Sequence, residues 1–251
     1  AHRSHTAGER AAAALVWSHR AWVEHSAIAE SEAVLVRACL EVGVSADFKY
    51  CVSMRAVERA RSTDLCHIFA ARLDRYHSSP HTEELADLLN DELVRRVLHT
   101  KSDIGAYIGA HLVAQSTIDL RTWECARTNS DAGLGRVVDY AIRDKARMLK
   151  VAWLYMEDAV SKNSDETRSL ISSNINYVLF EEEARGRQLP AFLSSGSDAT
   201  GLAEANRISA AGLGGVGDVD QHEIFEVAVD ELTTKFAPLG IEIGTRRDLG
   251  R

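Results

Sequence analysis

Charged and polar side chains interrupt the apolar stripes of several predicted helices, and these side chains are the ones that could do chemistry. Glu24 is the polar exception in the stripe of the first helix, and Arg59 and Ser62 lie at the centre of the second. An unpaired charge inside a helical core is severely unfavourable, so such groups must pair, shift their pKa values, or admit water and an anionic ligand. The pattern therefore indicates ion pairing, anion binding or proton transfer within the core.

One spacing also suggests a metal. Asp64-x-x-His67 has the spacing that lets two ligands share a helical face. Residue 64 lies about 140° around the helix from Arg59, so the two motifs cannot point at the same centre. We favour the register with Arg59 inward and Asp64 and His67 on the helix flank. The competing hypothesis is a metal enzyme with an aberrant ligand set: Glu24, Asp64, His67 and Asp119.

Apolar periodicity predicts an all-α chain. Only 3 prolines and 16 glycines punctuate 251 residues, and the runs between them are rich in strong helix formers. We treat 1–251 as a single domain, with a core bundle at about 15–160 and accessory helices and a flexible segment in 165–251. The segment 194–220, rich in Gly, Ser, Ala and Asp, is predicted to be a mobile connection that could cover a pocket. The predicted helices span 9–42, from the Ser45 N-cap to about 76, 82–99, about 103–127, from beyond 131 to about 158, 165–185 and 221–236.

Charge and composition narrow the class of protein. The formal charge of −8 is spread over helices that also carry many arginines, so no basic stripe indicates a nucleic-acid partner. No apolar run approaches the roughly 20 residues that a membrane span needs. We therefore expect a soluble, cytoplasmic protein with no membrane partner. The 4 cysteines are widely spaced, which favours reduced thiols over a disulfide framework or a zinc site.

Several segments resemble a bacterial ferritin-like domain family of the di-iron-carboxylate superfamily. The stretch Glu24-His25-Ser26-Ala27-Ile28-Ala29 is similar to that family's Glu-His-Ala-Ser-Val-Ala. Residues 43–69 resemble its second helix without gaps, and Ala114-Gln115-Ser116 resembles its Gly-Glu-Thr. Asp144-Lys145-Ala146-Arg147-Met148 falls on its final Asp-Glu-Ala-Arg-His. The resemblance covers most of 15–160 and implies a ferritin-like four-helix bundle with additional C-terminal helices.

The same resemblance implies that the metal site has degenerated. Such bundles take a Glu from each of two helices and Glu-x-x-His from each of the other two. Of the corresponding positions only Glu24 keeps a conventional oxygen ligand, because the others are Arg59, Ser62, Gln115, Lys145 and Met148. We therefore expect no metal and no cofactor.

The former metal cavity is then expected to hold a small carboxylate-bearing substrate. Arg59 would clamp the carboxylate, while Glu24 and Lys145 would form a proton-transfer pair with Asp119 as a further acid or base. A lysine beside a second cation can also act as an amine nucleophile, which makes a Schiff base an option. The remaining substrate-binding candidates are Ser62, His111, Gln115 and Met148.

These parts would suit a condensation or cyclisation, such as an iminium closure of Pictet–Spengler type, in bacterial specialised metabolism. The substrate could derive from an aromatic amino acid, because aromatic side chains that could stack on it flank the centre: Trp22, Trp153 and Tyr155. Hydrolysis and isomerisation fit nearly as well. In another class, the protein is a non-catalytic ferritin-like scaffold or partner subunit, with a closed network of Glu24, Arg59 and Lys145. A homodimer is compatible with either function.

Overall fold

The computed structural model describes residues 4–80, 82–100, 104–161, 164–189 and 199–244. Within these ranges the regular elements are helices, which confirms the all-α prediction there, and Ser130 and Leu213 form an isolated β-bridge. The helices are α1 (Ala7–Leu40), α2 (Ala46–Leu73), α3 (Glu83–Asp87), α4 (Leu93–His99), α5 (Ile104–Thr128), α6 (Ala132–Ser161), α7 (Asp165–Tyr177), α8 (Ala199–Ala210) and α9 (Asp218–Phe236).

Four long helices position the polar residues of the interior. Helix α1 packs along α2 and α5 packs along α6, while further contacts join α2 to α6 and α1 to α5. Local sequence explains where α1 and α2 begin. Thr6 and Glu9 form a capping box at the start of α1, and the Ser45 side chain accepts a hydrogen bond from the Phe48 backbone N–H at the start of α2. These contacts satisfy backbone donors that the first turn leaves unpaired.

The shorter helices cover the outside of the long ones. Helices α4 and α8 pack on α1, and α7 and α9 pack on α5. The segment predicted at 82–99 therefore lies against α1, where Leu85, Leu88 and Leu93 pack with Trp22 and Val23. Among the described residues, none of the helices has both the length and the apolar character of a membrane span.

The chain from 178 to 189 departs from the regular helix predicted for 165–185. Helix α7 passes into a π-helical turn at Val178–Glu182 and a 3₁₀ turn at Glu183–Arg185. Gly186 then adopts a left-handed conformation with φ of 72°, which glycine tolerates because it has no Cβ. This change of helical pitch points both Glu182 and Glu183 into the interior, where each is fully buried.

The segment 194–220 is predicted to be a mobile connection, and its described part, 199–220, contains a helix and a buried turn. Residues 199–210 form α8, and the turn that follows is buried against α1. The Trp17 indole N–H donates to the Leu213 carbonyl at 2.9 Å, and the Gly214 N–H donates to the Asn129 carbonyl at 2.8 Å. The small residues Gly214 and Gly215 allow this close packing, because a Cβ at either position would meet neighbouring atoms at less than 3 Å. Residues 194–198 of that prediction lie outside the described residues.

Candidate functional site

Each of the four long helices contributes one ionisable side chain to a compact buried centre. These residues are Glu24 of α1, Arg59 of α2, Asp119 of α5 and Lys145 of α6, called here the four-charge centre, and none is more than 4% exposed. Lys145 Nζ lies 2.6 Å from Glu24 Oε1 and 3.2 Å from Asp119 Oδ2. Arg59 Nη1 lies 2.9 Å from Glu24 Oε2 and also pairs with Asp119. Each cation therefore bridges both carboxylates, and the centre is neutral when all four groups are ionised.

Two further side chains hold the carboxylates in place. The Trp123 indole N–H donates to Glu24 Oε1 at 3.2 Å, and the Gln188 amide donates to Asp119 Oδ1 at 3.0 Å. Burial alone would raise the pKa of Asp119, but the charges of Arg59 and Lys145 outweigh it and hold that pKa below its ordinary value. Asp119 is therefore ionised at neutral pH.

Arg20 adds a third cation close to this centre. Its guanidinium lies 4.5 Å from the ring centroid of Trp17 and 5.9 Å from that of Trp123. The side chain is buried, and its Nη1 has no hydrogen-bond partner among the described residues. Burial lowers the pKa of Arg20, against the raising effect of nearby acidic groups. With Arg20 included, cations outnumber carboxylates by one in this part of the core.

A pocket between α2 and α6 leads to the two cations of the four-charge centre. Its volume is about 210 Å³ when the space at its open mouth is counted, and its inner end has room for about one water molecule. Within the described residues, the side-chain contacts of Arg59 are made through Nη1. The Nε and Nη2 donors of Arg59 therefore remain for a ligand. The lining residues are Arg55, Glu58, Arg59, Ser62, Asp144, Lys145 and Met148.

A second group of buried polar residues includes the pocket residue Arg55 and is called here the His111 cluster. It consists of Glu30, Arg55, His111, Gln115 and Glu182. His111 Nε2 is 2.5 Å from Glu30 Oε1, and Arg55 Nη2 is 3.4 Å from Glu30 Oε2. The Gln115 amide donates to Glu182 Oε2 at 3.0 Å. Burial would raise the pKa of Glu30, but His111 and Arg55 together leave it far below the ordinary value.

The two groups meet at the irregular chain after α7. Arg187 Nε lies 3.5 Å from Glu182 Oε2 in the His111 cluster, while the neighbouring Gln188 bonds Asp119 in the four-charge centre. Glu183 accepts the backbone N–H groups of Gln188 and Leu189 at 3.0 and 3.2 Å. Burial raises the pKa of Glu183 to about 7, against the lowering effect of Arg187. Glu183 is thus a buried group that titrates near neutral pH at the junction.

The structure brings together some of the residues singled out in the sequence and separates others. Glu24, Arg59, Asp119 and Lys145 meet in the four-charge centre, and Ser62 and Met148 line its pocket. His111 and Gln115, expected at the substrate, lie instead in the His111 cluster. Sequence reasoning missed Glu30, Glu182, Arg187 and Gln188.

The aromatic residues expected to stack on a substrate pack elsewhere. The Trp22 indole donates to the His77 carbonyl at 2.8 Å. Trp153 packs 4.8 Å from the ring centroid of Phe236, and Tyr155 stacks on Phe48 at 3.8 Å. None of these three side chains lines the pocket, so they act as core packing.

The four-charge centre does not fit a di-iron site. A guanidinium and an ammonium lie 2.9 and 2.6 Å from the two carboxylate oxygens of Glu24, where metal ions would have to bind, and like charges at such distances repel strongly. Asp64 and His67 are exposed on α2, away from the buried Glu24 and Asp119, so the aberrant ligand set is not assembled. No group of three or more His, Cys, Asp or Glu side chains in the described part of the chain is arranged to hold a metal ion.

Comparisons of the chain with known protein families, with curated proteins and with solved structures found no match. The function must therefore be argued from the geometry of the site.

Proposed function

We propose that this chain is a metal-independent ferritin-like protein that binds a small carboxylate-bearing molecule in the pocket and acts on it by proton transfer. Four long helices contribute polar side chains to a shared buried centre, as the ligand-bearing helices of ferritin-like bundles do, and this supports a ferritin-like origin. Helix α5 contributes Asp119 to this centre, one turn from Gln115, the position that the resemblance assigns to the ligand. The positions of the two cations support metal independence.

The observation that carries the proposal is the hydrogen bonding of the Arg59 guanidinium. Its side chain is 4% exposed, Nη1 is committed to Glu24 and Asp119, and its Nε and Nη2 donors remain for a ligand in the pocket. Parallel N–H donors of a guanidinium match a carboxylate in a bidentate arrangement. Ser62 lines the same pocket one turn further along α2 and supplies a hydroxyl. Arg55, Arg59 and Lys145 line the pocket together with the carboxylates of Glu58 and Asp144. Glu58 and Asp144 both pair with Arg147, so we propose a monoanion as the ligand.

Proton transfer would use the other three charges. Lys145 can donate a proton to a bound ligand, and the carboxylates of Glu24 and Asp119 can accept one. A condensation or cyclisation needs this combination of acid, base and carboxylate anchor. The space inside the pocket holds only about one water molecule, because most of the 210 Å³ is open space at its mouth; a usual ligand site has about 300–1,000 Å³. The pocket also lacks an aromatic wall. We therefore propose a compact acid, such as a 2-oxo or amino acid, as the substrate class.

Binding is tested first by calorimetric titration with acetate, pyruvate and glycine, with acetamide as the neutral control. We expect the carboxylates to bind and acetamide not to bind. Arg59→Lys keeps the charge but removes the planar pair of donors, so it should weaken carboxylate binding by about tenfold or more. Arg95→Lys is the matched control, because Arg95 is exposed and pairs with the exposed Asp91, away from the pocket. Equal binding of acetate and acetamide, or unchanged binding by Arg59→Lys, would contradict the proposal.

Proton transfer is tested separately by exchange of the pyruvate methyl hydrogens in D₂O, followed by NMR. The wild-type protein should accelerate exchange. Lys145→Met and Glu24→Gln should lose the acceleration while pyruvate binding, measured in the same titration, persists. Pyruvate binding without any accelerated exchange would refute the proton-transfer half of the proposal.

A second candidate function, a non-catalytic scaffold, is favoured by one observation. The four charges of the centre satisfy one another, each cation touching both carboxylates. A network of this kind can hold helices together without a ligand. The titration distinguishes the two candidates, since a scaffold predicts no carboxylate binding.

A further inference from the structure

Helix α6 exposes large apolar and aromatic side chains on the side away from the core. Val137 is 40% exposed, Tyr140 69% and Leu154 58%. The opposite side of the same helix is already used, because Val138, Ala152 and other residues are buried in the core. Apolar groups concentrated along one exposed helix face are typical of an interaction surface.

These exposed side chains belong to a row of six residues along α6, called here the seam. Spaced alternately by three and four residues, its members share one helical face, as do the a and d positions of a coiled coil. Its charged centre is accessible, with the Asp144 side chain 23% and the Arg147 side chain 58% exposed. At 1.5 Å per residue the seam is about 27 Å long. The seam consists of Val137, Tyr140, Asp144, Arg147, Val151 and Leu154.

The seam has apolar residues at both ends and a pair of opposite charges at its centre, so it is complementary to its own reversed copy. Reversal about a point midway between residues 145 and 146 pairs Val137 with Leu154, Tyr140 with Val151, and Asp144 with Arg147. Such reciprocal pairing, in which residue i meets residue j and j meets i, is what a two-fold symmetric interface requires. Two apolar ends flank a central pair of opposite charge, so the face is complementary to itself.

We propose that α6 pairs antiparallel with α6 of a second copy of this chain, with the two-fold axis beside Asp144 and Arg147. The axis then passes the mouth of the pocket, because Asp144 lines the pocket and Arg147 contacts the lining residue Glu58. The second copy covers this mouth, and its Arg147 faces Asp144. Arg143 and Lys150 lie on the exposed side of the seam. Salt screens their repulsion and the Asp144–Arg147 attraction alike, so the dimer rests on the apolar ends of the seam.

The molar mass from sedimentation equilibrium tests this proposal over a range of protein concentrations. The wild type should be a dimer. Val137→Lys with Leu154→Lys places like charges opposite each other in the antiparallel register and should weaken the dimer by about tenfold or more. Val219→Lys, at a site 77% exposed on α9, is the matched control and should leave the dimer intact.

A charge-swapped variant tests the register. Val137→Glu with Leu154→Lys brings the introduced carboxylate of one copy against the introduced ammonium of the other in the antiparallel pairing, so this variant should dimerise more tightly than the double-lysine variant. Parallel pairing would instead oppose glutamate to glutamate and lysine to lysine. A monomeric wild type, a double-lysine variant that stays as dimeric as the wild type, or no gain from the charge swap would overturn the proposal.

Discussion

Removal of Lys145 should destabilise the protein strongly, and the size of the effect follows from its contacts. Lys145 Nζ lies 2.6 Å from Glu24 and 3.2 Å from Asp119 and is 4% exposed. Lys145→Met retains an unbranched side chain but removes one of the two cations that pair directly with Glu24 and Asp119, leaving Arg59 as the paired cation of the four-charge centre. Breaking a buried ion pair by removing one partner costs about 3–5 kcal/mol. We expect a loss of that size in the free energy of unfolding.

Urea unfolding followed by far-ultraviolet circular dichroism measures the effect, with a second substitution to identify its cause. Asp119→Asn in the Lys145→Met background restores a neutral centre, so the two changes together should cost less than the sum of the single changes, by about 1 kcal/mol or more. Lys235→Met is the matched control, because Lys235 pairs with Glu231 at the surface and should contribute less than about 1 kcal/mol. A Lys145→Met loss no larger than the control, or additive single effects, would refute the reasoning.

Three further predictions concern other parts of the interior. Burial raises the pKa of Glu183 from 4.5 to about 7. This group therefore contributes to the free energy of unfolding fully below about pH 4.5, and the contribution is lost as the pH rises through about 7. Glu183→Gln should flatten this pH dependence, measured by urea titrations at successive pH values. Gly215→Ala should cost about 1–3 kcal/mol, because a Cβ there would clash with the backbone oxygen of Ala205, whereas the exposed Gly133→Ala should have little effect in the same unfolding assay. Cys66 is buried with a raised pKa, so Ellman's reagent should modify exposed Cys39 in the native protein and Cys66 only on unfolding.

The long helices could be predicted from sequence because their signals are local. Apolar periodicity and the Ser45 cap placed α1, α2, α5 and α6 within a few residues of their actual bounds. The turns at 178–185 and the burial of 211–216 could not be predicted in this way. Both depend on tertiary contacts: Glu182 ends a π-helical turn and contacts Gln115 and Arg187 in the interior.

The residues of the site also divide into those that local sequence reveals and those that depend on tertiary packing. Glu24 and Arg59 interrupt apolar stripes, so their inward direction is visible in the sequence, and Asp119 shares a helix face with Gln115. Glu182 lies in the run Glu181-Glu182-Glu183, which by composition indicates a solvated helix face. Gln188 follows a left-handed glycine in a short turn. Its contact with Asp119 at 3.0 Å depends on how the chain packs after α7, which no local pattern encodes.

The charge balance of the interior links the pH response of Glu183 to ligand binding. Five cations and five carboxylates among the described Arg, Lys, Asp and Glu residues are at most 5% exposed. Glu58 is left out of this count because it pairs with the exposed Arg147. The ten residues are Arg20, Arg55, Arg59, Lys145 and Arg187, and Glu24, Glu30, Asp119, Glu182 and Glu183. Protonation of Glu183, whose pKa burial raises to about 7, therefore leaves this set with one excess positive charge.

An anion in the pocket should then bind more tightly as pH falls through about 7, since acetate stays ionised in that range while the interior gains a positive charge. Calorimetric titration of acetate from pH 8 to pH 6 measures this dependence. Glu183→Gln imitates the protonated state, so its acetate affinity should be high and nearly constant over the same range. A pH dependence that survives in Glu183→Gln would assign the response to another group, and a wild-type affinity that falls with decreasing pH would contradict the charge balance argued from these ten side chains.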